Sequence, residues 1–192
     1  MTVDHGNQSL VAWAHRMGFI QRMMTWQCRL APLALPEIPI PVGILRLSDQ
    51  DSPELRHHLA VLHACIYRVA HSWNPPGHLM DTHADDLFMG DDLLPSSLWY
   101  VVDIDGGPVG ISSLRRSDVP DCVELGWIGT LPDVDPRLKE SLIEVALRSA
   151  GARTILIEVD DNEIELIARL RQLPTHWESA SIRFERDVWP TS

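Results

Sequence analysis

Residues Leu98 to Pro132 read LWYVVDIDGGPVGISSLRRSDVPDCVELGWIGTLP, and this stretch decides the fold. Leu98 to Ile104 and Val109 to Leu114 are β-rich runs, and Asp105-Gly106-Gly107 separates them with glycines that reach the positive φ of a tight hairpin. A further strand, Cys122 to Ile128, leads through Leu131-Pro132 into a helix presenting Leu138, Leu142, Val145 and Ser149 at helical spacing. Gly151 ends that helix. Beyond it, Thr154 to Val159 reads as a buried strand and Asn162 to Leu173 as a helix. Ser179 to Asp187 reads as a closing strand in which Ala180, Ile182 and Phe184 alternate.

Upstream, Val42 to Leu47 is a strand, and Ser52 caps a helix whose Pro53 suits the first turn. Leu55, Leu59, Leu62, Ile66 and Val69 line one side of that helix, which therefore packs on a sheet. Trp73 to Pro95, with Asn-Pro-Pro-Gly and many aspartates, is expected to be loop around a short helix at Thr82 to Met89. Pro32, Pro36, Pro39 and Pro41 mark an extended connector. Before it, Leu10 to Phe19 reads as a helix and Gln21 to Leu30 as a strand with Met24, Trp26, Cys28 and Leu30 on one face. Two parts follow: an arm over 1–35 and a principal domain over 36–192.

The 192 residues suffice for one substantial core, and 45% hydrophobic content argues against long disorder. With 16 Lys and Arg against 27 Asp and Glu, the net charge of −11 disfavours nucleic acid and anionic membranes and favours a neutral or cationic partner. Cys28, Cys65 and Cys122 lack metal-ligand spacing and cannot all pair within one chain, so free thiols in a reducing, cytoplasmic setting are expected. The N-terminal residues lack the pattern of a signal peptide, and no window of about 20 apolar residues suggests a membrane span.

The element order from Leu98 to Asp187 resembles the C-terminal two thirds of a GNAT-family N-acetyltransferase, and the strand and helix upstream extend the likeness back to about Val42. The phrase Glu124-Leu125-Gly126-Trp127-Ile128-Gly129-Thr130-Leu131-Pro132 looks like that family's fourth strand. Gly151-Ala152-Arg153-Thr154-Ile155-Leu156-Ile157-Glu158-Val159 looks like its fifth, and Asn162 stands where the family opens its fourth helix with asparagine. The resemblance implies an α/β fold, a mixed central sheet flanked by helices. Asn7, Arg16 and Gly18-Phe19 repeat features of that fourth helix, with Asn7 on Asn162 and Arg16 on Arg171. The arm thus resembles the tail of a preceding repeat, as in the tandem proteins related to mycothiol synthase.

What the resemblance implies for function is transfer of an acetyl or other acyl group from acetyl-CoA or another acyl-CoA to a small-molecule amine. It places Glu124 as the base, the backbone of Ile128, Gly129, Thr130 and Leu131 along the coenzyme's pantetheine arm, and Asn162 beside it or capping its own helix. His71 and Trp73 fall in the loop that closes over the acceptor. The family grips the coenzyme's pyrophosphate with glycine-rich amides at a helix N-terminus. Here the matching stretch is Pro132-Asp133-Val134-Asp135-Pro136-Arg137-Leu138-Lys139, without glycine and with two carboxylates; Arg137 and Lys139 supply the remaining positive charge, and Asp135 reads as a helix cap. The family's tyrosine acid is replaced by Arg169.

Two readings stay open: an N-acyltransferase, or a degenerate module of the same fold that no longer binds acyl-CoA and serves binding, assembly or a new small-molecule activity. Glu124 also reads as a half-buried strand glutamate paired with Arg115 or Arg116. His57, His58, His63, His71, His78 and His83 crowd one region, but His57, His58 and His63 supply no i, i+4 ligand pair, so a solvated face and no metal are expected. Trp99, Trp127, Met23 and Met24 read as core or interface, and the apolar first and closing strands favour a homodimer.

Overall fold

A computed structural model describes residues 1–33, 39–71 and 90–186. Its elements in chain order are β1 (Thr2–Asp4), α1 (Gln8–Arg16), β2 (Ile20–Leu30), β3 (Ile44–Arg46), α2 (Pro53–Ala70), β4 (Trp99–Val102) and β5 (Pro108–Arg116). They continue with β6 (Cys122–Thr130), α3 (Pro136–Ser149), β7 (Thr154–Asp160), α4 (Ile164–Arg171) and β8 (Thr175–Glu185). The fold class is the expected one, α/β with a mixed sheet flanked by helices. The chain forms two compact units, one of Ala31–Ile155 and one joining Met1–Leu30 to the residues from Leu156 onward. Among the described residues no helix is long and apolar enough to cross a membrane.

In the 31–155 unit the strands lie in the order β6-β5-β4-β3, each pair antiparallel. Gly106, at φ +83°, makes the β4–β5 turn, while Gly107 is not in the positive region, so one glycine rather than two carries the reversal. Asp103 supplies the rest, its Oδ1 accepting from the Asp105 and Gly107 amides at 3.0 and 2.8 Å. Ser52 caps α2 as expected, accepting from the Leu55 amide at 3.1 Å. Leu59, Leu62 and Ile66 of α2 pack with Leu47, Leu98, Tyr100 and Ile111 in one core cluster. Each such side chain contributes about 1.5–3 kcal/mol by leaving water. Val69, expected on that face, is 57% exposed. α3 lies against β4, β5 and β6 and buries Leu142, Ile143, Val145, Ala146 and Leu147.

In the other unit the order is β1-β8-β2-β7. β2 pairs antiparallel with β8 from Ile20↔Glu185 to Leu30↔Thr175. On its other side, Met24 O accepts from the Asp161 amide at 2.8 Å, and Thr25 Oγ1 donates to Asp160 Oδ1 at 2.6 Å. α1 covers one face, where Val3, Ala14, Ile182 and Phe184 are buried together. Burial, and then the nearby Glu178 carboxylate, push the Cys28 thiol up to about 11. α4 begins at Ile164 with Glu163 in the cap position, one residue past the expected Asn162. Asn7 does cap α1, accepting from the Leu10 amide at 3.1 Å.

The two helix–strand pairs of this unit keep one offset. Adding 155 to Asn7 gives Asn162, to Arg16 gives Arg171, and to Ile20–Leu30 gives Thr175–Glu185, the bounds of β8. The register crosses near the middle of both strands, with Thr25 opposite Ser181.

Because β2 fills the place between β8 and β7, deleting residues 1–30 leaves both neighbours with open backbone edges and strips the partners of Ile182 and Phe184. The shortened chain is expected to aggregate or to lose cooperative unfolding in a thermal melt followed by circular dichroism. A soluble chain melting within a few degrees of the full one would contradict this account.

Candidate functional site

The site grows from the meeting of α2 with β6 in the 31–155 unit. The β5–β6 register slips between Ser113 and Leu114: Ser113 opposes Trp127 and Leu114 opposes Leu125, so Gly126 is the extra residue of a bulge. The Arg115 stem lies over Gly126, where a Cβ would stand 2.8 Å from the Arg115 Cγ and Nε atoms. Arg115 Nη1 holds Asp92 Oδ1 at 2.6 Å, and this hydrogen bond lowers the Asp92 carboxyl below its ordinary range.

Past the bulge, Trp127 meets a row of rings from α2. His63, Tyr67 and His71 stand at i, i+4 and i+8, hence on one helical face. His63 meets Trp127 edge-on at 4.9 Å between centroids, Tyr67 stacks on His71 at 4.2 Å and 10°, and both Tyr67 and His71 reach Trp127 at 5.6 and 5.7 Å. Gly129 allows this approach: a Cβ there would stand 2.7 Å from Ile66 Cγ2 and 3.3 Å from Trp127 Nε1. That indole nitrogen is buried with no hydrogen-bond partner among the described residues, as is Ser113 Oγ on the strand residue opposite. Most buried donors are paired, and an unpaired one keeps its hydrogen-bonding capacity for a ligand or water; the Trp99 indole nitrogen and Ser112 Oγ share this property.

Burial first, then the charges of Arg115 and His71, push His63 down to about 4. His63 is therefore a neutral imidazole at ordinary pH. It is half-buried against rings, which corrects the expectation of a solvated face at His63, while His57 and His58 are exposed as expected. Among the described residues no three His, Cys, Asp or Glu side chains come together closely enough to hold a metal ion.

His71 joins this cluster from the end of α2, whereas Trp73 lies outside the described residues, as do the expected helix at Thr82 to Met89, His78, His83 and Asp187. Ile128 and Gly129 are buried and Thr130 half-buried at the end of β6, with Gly129 explained by the packing of Ile66. Leu131 lines an open groove of about 530 Å³ together with His57, His58, Cys65 and Pro108. Glu124 sits at the other end of β6 and is exposed, so the partial burial expected of a base is not found. It opposes Arg115 in register, and its Oε1 accepts from Ser117 Oγ at 2.9 Å. Asn162 belongs to the other unit. Sequence reading missed His63, Tyr67 and Trp127 as site residues; the i, i+4, i+8 spacing of aromatic and imidazole rings was the available signal.

At the start of α3, Asp135 Oδ1 accepts from the Arg137 amide at 3.0 Å, and Asp135 O accepts from the Leu138 amide at 2.9 Å. Pro136 has no N–H to offer. A carboxylate of the chain thus occupies the position at which a helix N-terminus would receive a phosphate. Arg137 is exposed and Lys139 half-buried nearby in sequence.

The sequence matches no family model and no curated protein. Solved structures do resemble it. A GCN5-related N-acetyltransferase from Sphaerobacter thermophilus superposes with TM-score 0.62 at 18% identity, covering 95% of this chain and 57% of that one. A GNAT-family acetyltransferase from Colwellia psychrerythraea gives 0.56 at 10% identity over 97% of this chain and 64% of that one. A tandem GNAT protein from the clavulanic acid biosynthesis pathway gives 0.54 at 12% over 95% and 62%. At these identities the likeness shows the fold, that of the GNAT acetyltransferases, and the chain spans only about three fifths of each of these proteins.

The His63 environment sets a pH dependence. Unfolded, the imidazole titrates near 6.5, and folded at about 4. Between those values the unfolded chain binds a proton the folded chain does not, so stability is present above 6.5 and is lost as pH falls toward 4. The gap corresponds to roughly 3 kcal/mol. In urea unfolding near pH 4.5 and pH 7.5, His63→Gln is expected to lose markedly less stability on acidification than the parent. Equal losses in the two proteins would contradict the assignment.

Proposed function

We propose that this chain transfers an acyl group to a small-molecule amine, binding the acceptor against the α2–β6 ring face, and that its acyl thioester donor is not gripped by a pyrophosphate. The fold shared with the GNAT acetyltransferases supports the reaction class; fold alone does not fix it. The observation that carries the reading is the convergence of His63, Tyr67 and His71 on Trp127, with the indole N–H buried and unpaired. An attacking amine must be neutral and must shed a proton as it is acylated. The Tyr67 hydroxyl, beside a His63 imidazole that burial keeps neutral, relays that proton to the departing thiolate, which leaves as the free thiol. Glu124, exposed on the same strand, is the competing acceptor in this proposal.

The backbone from Ile128 to Leu131 is the proposed support for the donor's thioester arm, with Arg137 and Lys139 as its polar surroundings. Asn162 and Trp73 keep the roles the family resemblance implies, beside the donor arm and over the acceptor respectively. The common offset of 155 between the two helix–strand pairs supports the view of residues 1–35 as the tail of a preceding repeat. A second reading, a degenerate module without acyl-CoA binding, is favoured by one observation: Asp135 holds the α3 amide with its own carboxylate.

Calorimetry and acetyl-transfer assays with a panel of small primary amines separate these readings, using acetyl-CoA and S-acetylpantetheine as donors. The proposal expects transfer from both donors with kcat/KM within about threefold, since a difference of one pyrophosphate contact would exceed 1 kcal/mol. It further expects Tyr67→Phe or His63→Gln to lower kcat more than Glu124→Gln. A hundredfold preference for acetyl-CoA would overturn the donor assignment. Neither binding nor transfer with either donor would leave the degenerate module as the correct reading.

A further inference from the structure

The unit that contains β2 and β8 holds a second cavity, unrelated to the ring face of α2. Its volume is about 310 Å³, near the lower end of the range for small-molecule sites, and Asp4, His5, Trp26, Trp177 and Glu178 line it. None of these residues belongs to the core cluster under α1.

A bulge builds this cavity. Trp26 opposes Ala180, and Ala180 and Trp177 are three positions apart, which in a regular strand places them on opposite faces. The register slips between Gln27 and Cys28: Gln27 opposes Ser179 and Cys28 opposes Trp177, leaving Glu178 as the extra residue. The slip turns Trp177 to the side of Trp26. The two indoles meet edge to face at 5.9 Å and 86°. His5 joins at 6.1 Å from Trp26, its segment pinned by the His5 amide donating to Ala180 O at 2.8 Å.

Two carboxylates stand at the rim. Asp4 Oδ1 accepts from the Gly6 amide at 2.7 Å, and Glu178 pairs with Arg29. Both indoles are half-buried, so their ring surfaces reach the cavity without being withdrawn into the core. Indole faces attract cations through the ring quadrupole, and carboxylates add Coulomb attraction in a chain of net charge −11. Methyl groups on such a cation would bury against the same rings. We propose that the Trp26–Trp177 cavity binds a small organic cation with a methylated ammonium head, quaternary or tertiary. The site is independent of acyl transfer and stands whether or not that reaction is confirmed.

The test is calorimetric titration of the whole chain with choline and with 3,3-dimethylbutan-1-ol, which replaces the cationic nitrogen by carbon at nearly constant shape. Choline is expected to bind with Kd on the order of 1 mM in low salt, and the neutral isostere about tenfold more weakly. Trp177→Leu should abolish measurable binding, whereas Trp177→Phe should keep part of it and the same melting behaviour. Asp4→Asn, at an exposed position whose amide oxygen still accepts from Gly6, should weaken choline severalfold and flatten its salt dependence. Equal binding of choline and the isostere would overturn the proposal. So would the absence of choline binding, or unchanged choline affinity in Trp177→Leu.

Discussion

The close approach of α2 to β6 depends on the missing side chain at position 129. A Cβ there would press to 2.7 Å on Ile66, a buried residue of the helix with no free direction in which to move. Because the helix sits down at this point, His63, Tyr67 and His71 meet Trp127 within ring-contact distance, and His63 is forced to shed its proton. The bulge at Gly126 works with it by shifting the β5–β6 register, so that Trp127 opposes Ser113. Local steric permission in one strand thus sets the electrostatics of a histidine on a helix far away in sequence.

Electrostatics at the start of α3 are the basis of the proposed donor assignment. Where amides at a helix start would meet phosphate oxygens, Asp135 provides a carboxylate of its own and Pro136 removes a donor. The helix start is satisfied without a ligand, which stabilises α3 and at the same time opposes an incoming anion. A cap and a phosphate compete for the same amides, so the Asp135 carboxylate and an incoming anion are alternatives at this helix start.

Features set by neighbours in sequence were legible from the residues. Ser52-Pro53 gives the start of α2, Gly106 the hairpin turn, Asp135 the α3 cap and Gly151 the stop of α3, and each depends on backbone chemistry within a few positions. The insertion of β2 between β8 and β7 was not legible, since strand pairing over 150 residues leaves no local mark. Neither were the bulges at Gly126 and Glu178, which exist only as a mismatch between two strands. The start of α4 lies one residue later than expected, at Ile164 with Glu163 in the cap position, because helix ends depend on the backbone angles of single residues. His63 was read as part of a solvated face; its partners Tyr67 and Trp127 are what give it its chemistry.

The central claim is that the buried Trp127 indole N–H marks the acceptor site. Its side-chain resonance, assigned by comparing the 15N–1H spectrum with that of Trp127→Phe, reports on that claim directly. Titration with a small primary amine that the chain acylates is predicted to shift the Trp127 indole signal, saturably and with the same midpoint as KM under rapid-equilibrium conditions. An indole signal that stays in place while the amine is turned over would show that the acceptor binds elsewhere.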